Sequence, residues 1–493
     1  MHLDGRPRAR YVPPPRMDMP VTAGGSVDTR GGPYKTILRL ATPTMIAMLS
    51  QSVVNEIDIV FFAHLPCPES SNGQAALAPS LIALWAFGGS LSAISVGTQA
   101  LTARRSAEGL REDAGAVLTN AATFAMVAGV IFSLIGFLIL DPLMHALVKN
   151  PEAAGYAVSY TRFRFLGIAS MAMTFAFKAF FDGLGATRIH MVSALAMNAV
   201  NVALCWVLIF GHLGAPRMGP PGAGLAALIS TWVGLAIMIV YAVRREYRHV
   251  YGWFERKKLS WSITWQILRL AIPGGIATMA VMVGFGFFLF VVGKLDALTG
   301  GGAKAAGACG ATEAVNGAAT TAIIGILKLT FTACLAFGTA TATLVGMSLG
   351  EKDPEKAAMY GWSSAKLGLV LFGILGILEG LIFTKPILAF VSHSGAVQEA
   401  ALLPFRMMGL ATPVIAVAMI LTQALFGAGN SRFVMIVELI LHFTCLMPLA
   451  WLFGVTLGGG LPGIWVSAVV YAAGLAAAMV WKFARGDWKT TQI

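Results

Sequence analysis

Eight ionisable side chains stand inside or at the edges of long apolar runs of this sequence: Glu56, Asp58, Lys178, Glu313, Lys328, Glu379, Glu438 and His442. A charge in hydrocarbon is costly, about 3 kcal/mol on insertion scales, unless it faces water or a partner, so each is a candidate for ion or proton chemistry. Lys178, Glu313 and Glu379 fall within a turn or two of a run's end, where side chains reach the polar boundary. Glu438 and His442 are four residues apart on one helical face and are expected to satisfy each other. Asp58 differs from all of these. It has no Lys or Arg within a turn of its own helix, and a buried carboxyl without a cation is suited to exchanging protons. Glu56, two residues away, points about 200° around the helix, so only one of the two acids faces a given cavity. Lys328 is the isolated cation of the set. Either it stands in a cavity as a gate or counter-ion, or it is held in a pair within its own half of the chain. Two amides, Asn198 and Asn201, lie in the fifth run and are available to Asp58.

The elements that position these groups are membrane spans. The 493 residues are 57% hydrophobic and only 12% charged, with a mean hydropathy of +0.74. Soluble chains carry about 25% charged residues. The apolar runs have the ~20 residues needed to cross ~30 Å of hydrocarbon, and they are too long and unalternated for a lipid-facing β-barrel. Twelve spans are predicted, over 37–63, 73–103, 114–140, 156–181, 189–211, 222–244, 267–293, 308–347, 357–383, 398–426, 432–455 and 461–484. With the N-terminus inside, 22 Lys and Arg fall on inner segments and five on outer loops, which places both termini in the cytoplasm. The net charge of +12 is thereby accounted for by topology rather than by nucleic-acid binding. Pro43, Pro273 and Pro413 mark places where helices are expected to bend. Cys67, Cys205, Cys309, Cys334 and Cys445 show no metal-ligand spacing, and a disulfide framework is not expected. No HExxH, GxSxG or P-loop motif occurs, so the chain is read as no enzyme, without cofactor and without ATP as energy source.

The chain also repeats itself. Ile37-Leu38-Arg39-Leu40-Ala41-Thr42-Pro43 returns as Ile267-Leu268-Arg269-Leu270-Ala271-Ile272-Pro273, and Gly183-Leu184-Gly185-Ala186-Thr187-Arg188 as Gly427-Ala428-Gly429-Asn430-Ser431-Arg432. Six spans separate the copies, so the repeat is parallel. The fold class is therefore all-α integral membrane, with twelve helices in two pseudo-symmetric six-helix lobes. The divisions are a disordered cytoplasmic tail (1–35), an N-lobe (36–244), a basic linker (245–265), a C-lobe (266–485) and a second tail (486–493). Two-lobe proteins of this kind transport by rocking one lobe against the other around a site at their interface.

Leu40-Ala41-Thr42-Pro43 with Glu56-Ile57-Asp58-Ile59-Val60, the stretch Phe181 to Arg188, Asn201 with Trp206 to Gly211, and Met218 to Gly224 together resemble the multidrug and toxic compound extrusion (MATE) family. The resemblance spans about residues 35 to 484 in both lobes. It implies a V-shaped pair of lobes, working as a monomer in the plasma membrane (the bacterial inner membrane), that exports organic, mainly cationic amphipathic compounds in exchange for H⁺ or Na⁺. It implies too that Asp58 and Asn201 carry ion coupling, with Glu56, Asn198, Cys205 and Lys328 as candidates for the cavity or a gate. Cys205 and Ala227 stand where relatives carry oxygen ligands, and Val281 and Ile415 where some members have second-lobe acids. Sodium asks for several oxygen ligands and a proton for one carboxylate, so the depleted set favours H⁺. The rival reading is a flippase for lipid-linked oligosaccharide or peptidoglycan precursor of the same superfamily. Its anionic substrate calls for several deep cations, and only Lys328 is deep.

Overall fold

A computed structural model describes residues 31–148, 150–298, 304–306, 312–392 and 394–491. Most of the expected N-terminal tail, Lys149 and Cys309 lie outside these. Ten helices are long and apolar enough to span a bilayer, and two bent pairs bring the number to twelve if each pair is one span. In the first half these are α1 (Gly32–Ala63), α2 (Glu69–Phe87) with α3 (Ile94–Ala107), α4 (Arg111–Leu147), α5 (Pro151–Leu166) with α6 (Ile168–Gly183), α7 (Thr187–Phe210) and α8 (Pro220–Val243). A short helix, α9 (Arg245–Tyr251), opens the linker. The second half comprises α10 (Trp261–Leu298), α11 (Val315–Gly350), α12 (Pro354–Ile377), a short α13 (Thr384–Val391), α14 (Gly395–Gly427), α15 (Ser431–Leu441) with α16 (Met447–Trp451), and α17 (Gly460–Arg485).

Four expectations change. Helix α1 begins at Gly32, inside the segment assigned to the tail, because Pro33 sits in the first turn, where its missing N–H costs nothing. The eighth span starts at Val315, since β1 (Lys304–Ala306) and β2 (Thr312–Ala314) form an antiparallel hairpin before it; Glu313 is in that hairpin, not in a span. The breaks between helices are not at these prolines. Pro43, Pro273 and Pro413 lie within continuous helices, whereas the 46° and 47° breaks fall at Gly88-Gly89 and Gly167. A Cβ at Gly89 would collide with the Trp85 ring, so glycine lets the ring pack against the break. Finally, Cys67, just past the far end of α1, is disulfide-bonded, while Cys205, Cys334 and Cys445 are free.

The leading helix of each half starts out packed into the other half. Ile37, Leu40 and Ala41 of α1 pack with Phe337, Tyr360, Phe372 and Ile420 of the second half, while Ile267 and Leu270 of α10 join the core of the first. The repeated motif of each half is therefore buried in the other. Near this face the halves touch backbone to backbone: a Cβ at Gly97 would strike the carbonyl of Ile267, and one at Gly350 that of Arg104. Basic residues concentrate here too. The linker is tied to α4 by Asn120, whose Nδ2 donates to Lys258 O at 2.8 Å and whose Oδ1 accepts from Ser260 N at 2.9 Å. Away from the seams, Val127, Ile131, Leu134 and Leu138 are exposed along α4, an apolar outer surface suited to lipid and not to water.

Candidate functional site

Asp58 lies five residues before the end of α1 and is buried. Helix α7 runs along α1, and its spacing puts Asn198, Asn201 and Cys205 on one face toward it. The fourth span supplies Tyr160 from α5, its ring held edge-on to Phe62 with centroids 6.3 Å apart. The Tyr160 hydroxyl donates to Asp58 Oδ2 at 3.3 Å. The Cys205 thiol stands 3.7 Å from Asp58 Oδ1 and 3.8 Å from Asn201 Oδ1, and with one hydrogen it serves one acceptor at a time. Asn201 Nδ2 in turn donates to Ser230 Oγ of α8 at 3.3 Å, and that hydroxyl donates to Ala227 O at 3.0 Å. Arg164 stacks over the Tyr160 ring, 5.9 Å from its centroid, and acts electrostatically on the Asp58 carboxyl.

Two details depart from expectation. Asn201 meets Asp58 through Cys205 rather than directly, and Asn198 belongs to a separate contact, donating from Nδ2 to Ser50 Oγ at 2.8 Å two turns along α1. Tyr160 and Arg164 are the residues that sequence reasoning missed. Both stand on another span, Tyr160 102 residues from Asp58 in the chain, beyond the reach of any spacing along α1.

Glu56 turns the other way. Its Oε1 accepts from Lys328 Nζ of α11 at 2.6 Å, and one turn nearer the basic face Ser52 Oγ meets Thr332 Oγ1 at 3.2 Å. Helices α1 and α11 thus form an antiparallel polar ladder with rungs at 56/328 and 52/332. Lys328 is neither a lone cation nor paired within its own half; the ion pair joins the two halves. Both side chains stay about two-fifths exposed, 44% for Glu56 and 40% for Lys328. Lys178 does not reach for a membrane face as expected, since Nζ turns to Met48 Sδ of α1 at 3.9 Å. Glu379 is held by Thr330, whose hydroxyl lies 3.0 and 3.1 Å from its two carboxylate oxygens. Glu438 and His442 do meet, at 3.4 Å, but Tyr471 is the closer partner, donating to Glu438 Oε2 at 2.6 Å.

Chemically, the Asp58 pocket is a single carboxyl whose described partners, a phenol and a thiol, each direct a hydrogen at it. Such a setting holds a carboxylate that a proton can neutralise, and it offers few free oxygen acceptors to a metal ion. Among the described residues no group of three or more His, Cys, Asp or Glu side chains forms a metal site.

The MatE family profile matches residues 43–207 and 308–452, one stretch in each half. A probable multidrug resistance protein NorM of Caulobacter vibrioides is 25% identical over 485 residues, covering 96% of this chain and 97% of the relative. Multidrug resistance protein PmpM of Pseudomonas aeruginosa is 24% identical over 469 residues, covering 92% and 91%. A solved structure described as the outward-facing conformation of a multidrug resistance MATE family transporter of the MOP superfamily superposes with a TM-score of 0.81 at 21% identity, over 94% of this chain and 98% of that one. A MOP superfamily transporter from Pyrococcus furiosus, described as having a binding pocket of reverse polarity that suggests a different function, gives 0.83 at 21% identity over the same shares. The family is one of transporters, not enzymes, and with its profile matched over more than half of the sequence this multi-pass membrane protein belongs to the MatE family.

Proposed function

We propose that this protein is a secondary active exporter that exchanges organic, mainly cationic amphipathic compounds for protons by alternating access. It acts as a monomer in the bacterial inner membrane with both termini in the cytoplasm. The observation that carries the coupling is the donor-lined carboxyl of Asp58, set among Tyr160, Cys205 and Asn201. Its charged form attracts a cationic substrate and its neutral form does not, so loading a proton from outside releases cargo there. A ligand shifts a conformational equilibrium only by binding the two states differently, and charge at Asp58 supplies that difference. The names borne by the NorM and PmpM relatives support the substrate class. Orientation rests on the bias of basic residues and on Cys67. A disulfide on the face opposite the basic linker fits an oxidising exterior.

The test is dye efflux from vesicles under an imposed pH gradient or an imposed Na⁺ gradient. Efflux driven by the pH gradient alone is expected; efflux that needs Na⁺ overturns proton coupling, and efflux under neither overturns the exporter reading. For topology, an impermeant thiol reagent added to intact cells should leave Lys257→Cys unlabelled, and labelling would reverse the orientation.

A further inference from the structure

The second half holds a buried titratable cluster that the Asp58 reading does not use. Glu438 and His442 on the eleventh span and Tyr471 on α17 are packed together. Glu438 is 7% and His442 2% exposed. Tyr471 donates to Glu438 Oε2 at 2.6 Å, and its ring lies 4.5 Å from the imidazole centroid. His442 Nδ1 is 2.8 Å from its own helix's Glu438 carbonyl. A carbonyl only accepts, so Nδ1 carries the hydrogen and Nε2 keeps its lone pair for an incoming proton. Helix α10 closes the site with Gly284, where a Cβ would strike the imidazole. At His442 the span widens into a π turn, His442–Leu446, a deviation that favours placing side chains over regular hydrogen bonding. Besides Glu438, His442 and Tyr471, the titratable group acting here is Cys445, which bears on Tyr471. No lysine or arginine pairs with the carboxyl among the described residues.

The internal repeat gives this cluster its meaning. The copies at Gly183–Arg188 and Gly427–Arg432 are 244 positions apart, so His442 occupies the place of Asn198 and Cys445 that of Asn201. Aligning Pro221-Gly222 with Pro462-Gly463 puts Tyr471 in the place of Ser230. The same corner of each lobe, between its fifth and sixth spans, thus carries a buried polar network. In the first half it serves Asp58 on the leading helix. In the second half the leading helix meets the imidazole at Gly284, and the acid stands on the fifth helix of the lobe as Glu438.

We propose that Glu438, His442 and Tyr471 form a second proton-exchange site in the second lobe. Glu438 takes a proton from water to become the neutral acid and returns it as the carboxylate, with Tyr471 donating to the charged form and His442 Nδ1 standing 3.4 Å from the same oxygen. About a tenth of the Glu438 side chain is left uncovered by protein. The proposal deepens the proton-coupling reading and rests on it for its role in transport.

The test is pH-difference infrared spectroscopy of the purified full-length protein in detergent, reading the carboxylic acid carbonyl band. The wild type should show reversible components from two acids, one lost in Glu438→Gln and a different one in Asp58→Asn. A Glu438→Gln spectrum identical to wild type across the pH range overturns the second site, whatever Asp58 does. Loss of nothing in Asp58→Asn overturns the Asp58 assignment and leaves the second site standing. If Glu438→Gln does not fold, Tyr471→Phe and His442→Gln keep the carboxyl and should each move the midpoint of one component only. No movement in either variant overturns the proposal.

Discussion

Asp58 and Glu56 are one helical turn apart in height at most, on the same helix, yet they face different halves of the molecule. Asp58 points into the first half, where its described hydrogen-bond partners are the neutral Tyr160 and Cys205. Glu56 points across to Lys328 of the second half at 2.6 Å. An acid whose hydrogen-bond donors are neutral can change charge without breaking an ion pair, while Arg164, stacked over Tyr160, acts on it electrostatically. An acid paired with a lysine of the other half is instead a contact that separation of α1 from α11 must break. On the proposed reading the difference separates two roles, a group that titrates and a latch that opens, on two residues that composition alone would rank together.

The largest effect should come from Asp58→Asn. It fixes the neutral state, so uphill export in vesicles should be abolished while expression and thermal stability stay near wild type, because the isosteric amide keeps one oxygen to accept from Tyr160 or Cys205 and turns its N–H toward the other's lone pair. Uphill efflux by this variant on any ion gradient would erase the distinction between the two acids.

The second perturbation is Lys328→Gln. Both partners are about 40% exposed, so the pair is worth roughly 1 kcal/mol or less to folding. The same energy applied to separation of α1 from α11 shifts the balance of conformations by about fivefold. Coupling should survive, substrate preference should change, and accessibility of a cysteine placed at Thr332 should rise. A large fall in thermal stability with unaltered selectivity would make the pair a structural bond instead.

These roles were only partly legible in the sequence. The span count, the repeat and the isolation of Asp58 on α1 follow from hydropathy and helical spacing, which act within about 25 residues. Tyr160 and Lys328 stand 102 and 272 residues from their acids, and no local period connects them. The breaks were hidden for a related reason. Proline is a strong local signal, but Pro43, Pro273 and Pro413 stay inside continuous helices. The 46° and 47° breaks fall instead at Gly88-Gly89 and Gly167, and at Gly89 the nearby Trp85 ring leaves no room for a side chain. Tyr471 was missed beside Glu438 and His442 for want of a tertiary contact, although the four-residue spacing of the pair was visible.

A smaller effect should follow Cys205→Ala. It removes the thiol that lies between Asp58 and Asn201, leaving Tyr160 as the carboxyl's described donor. A thiol is a weak donor, and a lost hydrogen bond to a charged acceptor is worth about 1.5–3 kcal/mol at its strongest, so the lower end applies. Export should persist with an altered pH profile measured in vesicles, and Cys205→Ser should retain more of the wild-type profile than Cys205→Ala. An unchanged profile in both would remove Cys205 from the coupling group.

The smallest effect should be that of Glu56→Gln, and it sharpens the comparison most. The substituted amide oxygen still accepts from Lys328, so the rung between α1 and α11 is weakened rather than lost. Lys328 is left as an uncompensated cation, but its side chain is 40% exposed and water can solvate it, which limits the cost. Gradient-driven export should therefore remain within a few-fold of wild type, against abolition in Asp58→Asn, two residues along the same helix. Combining Glu56→Gln with Lys328→Gln removes both charges together, and the double variant should lie closer to wild type than Lys328→Gln alone, since the stranded Glu56 charge is gone. Export lost in Glu56→Gln while folding is intact, measured by vesicle efflux beside a thermal melt, would show that both acids titrate in the cycle.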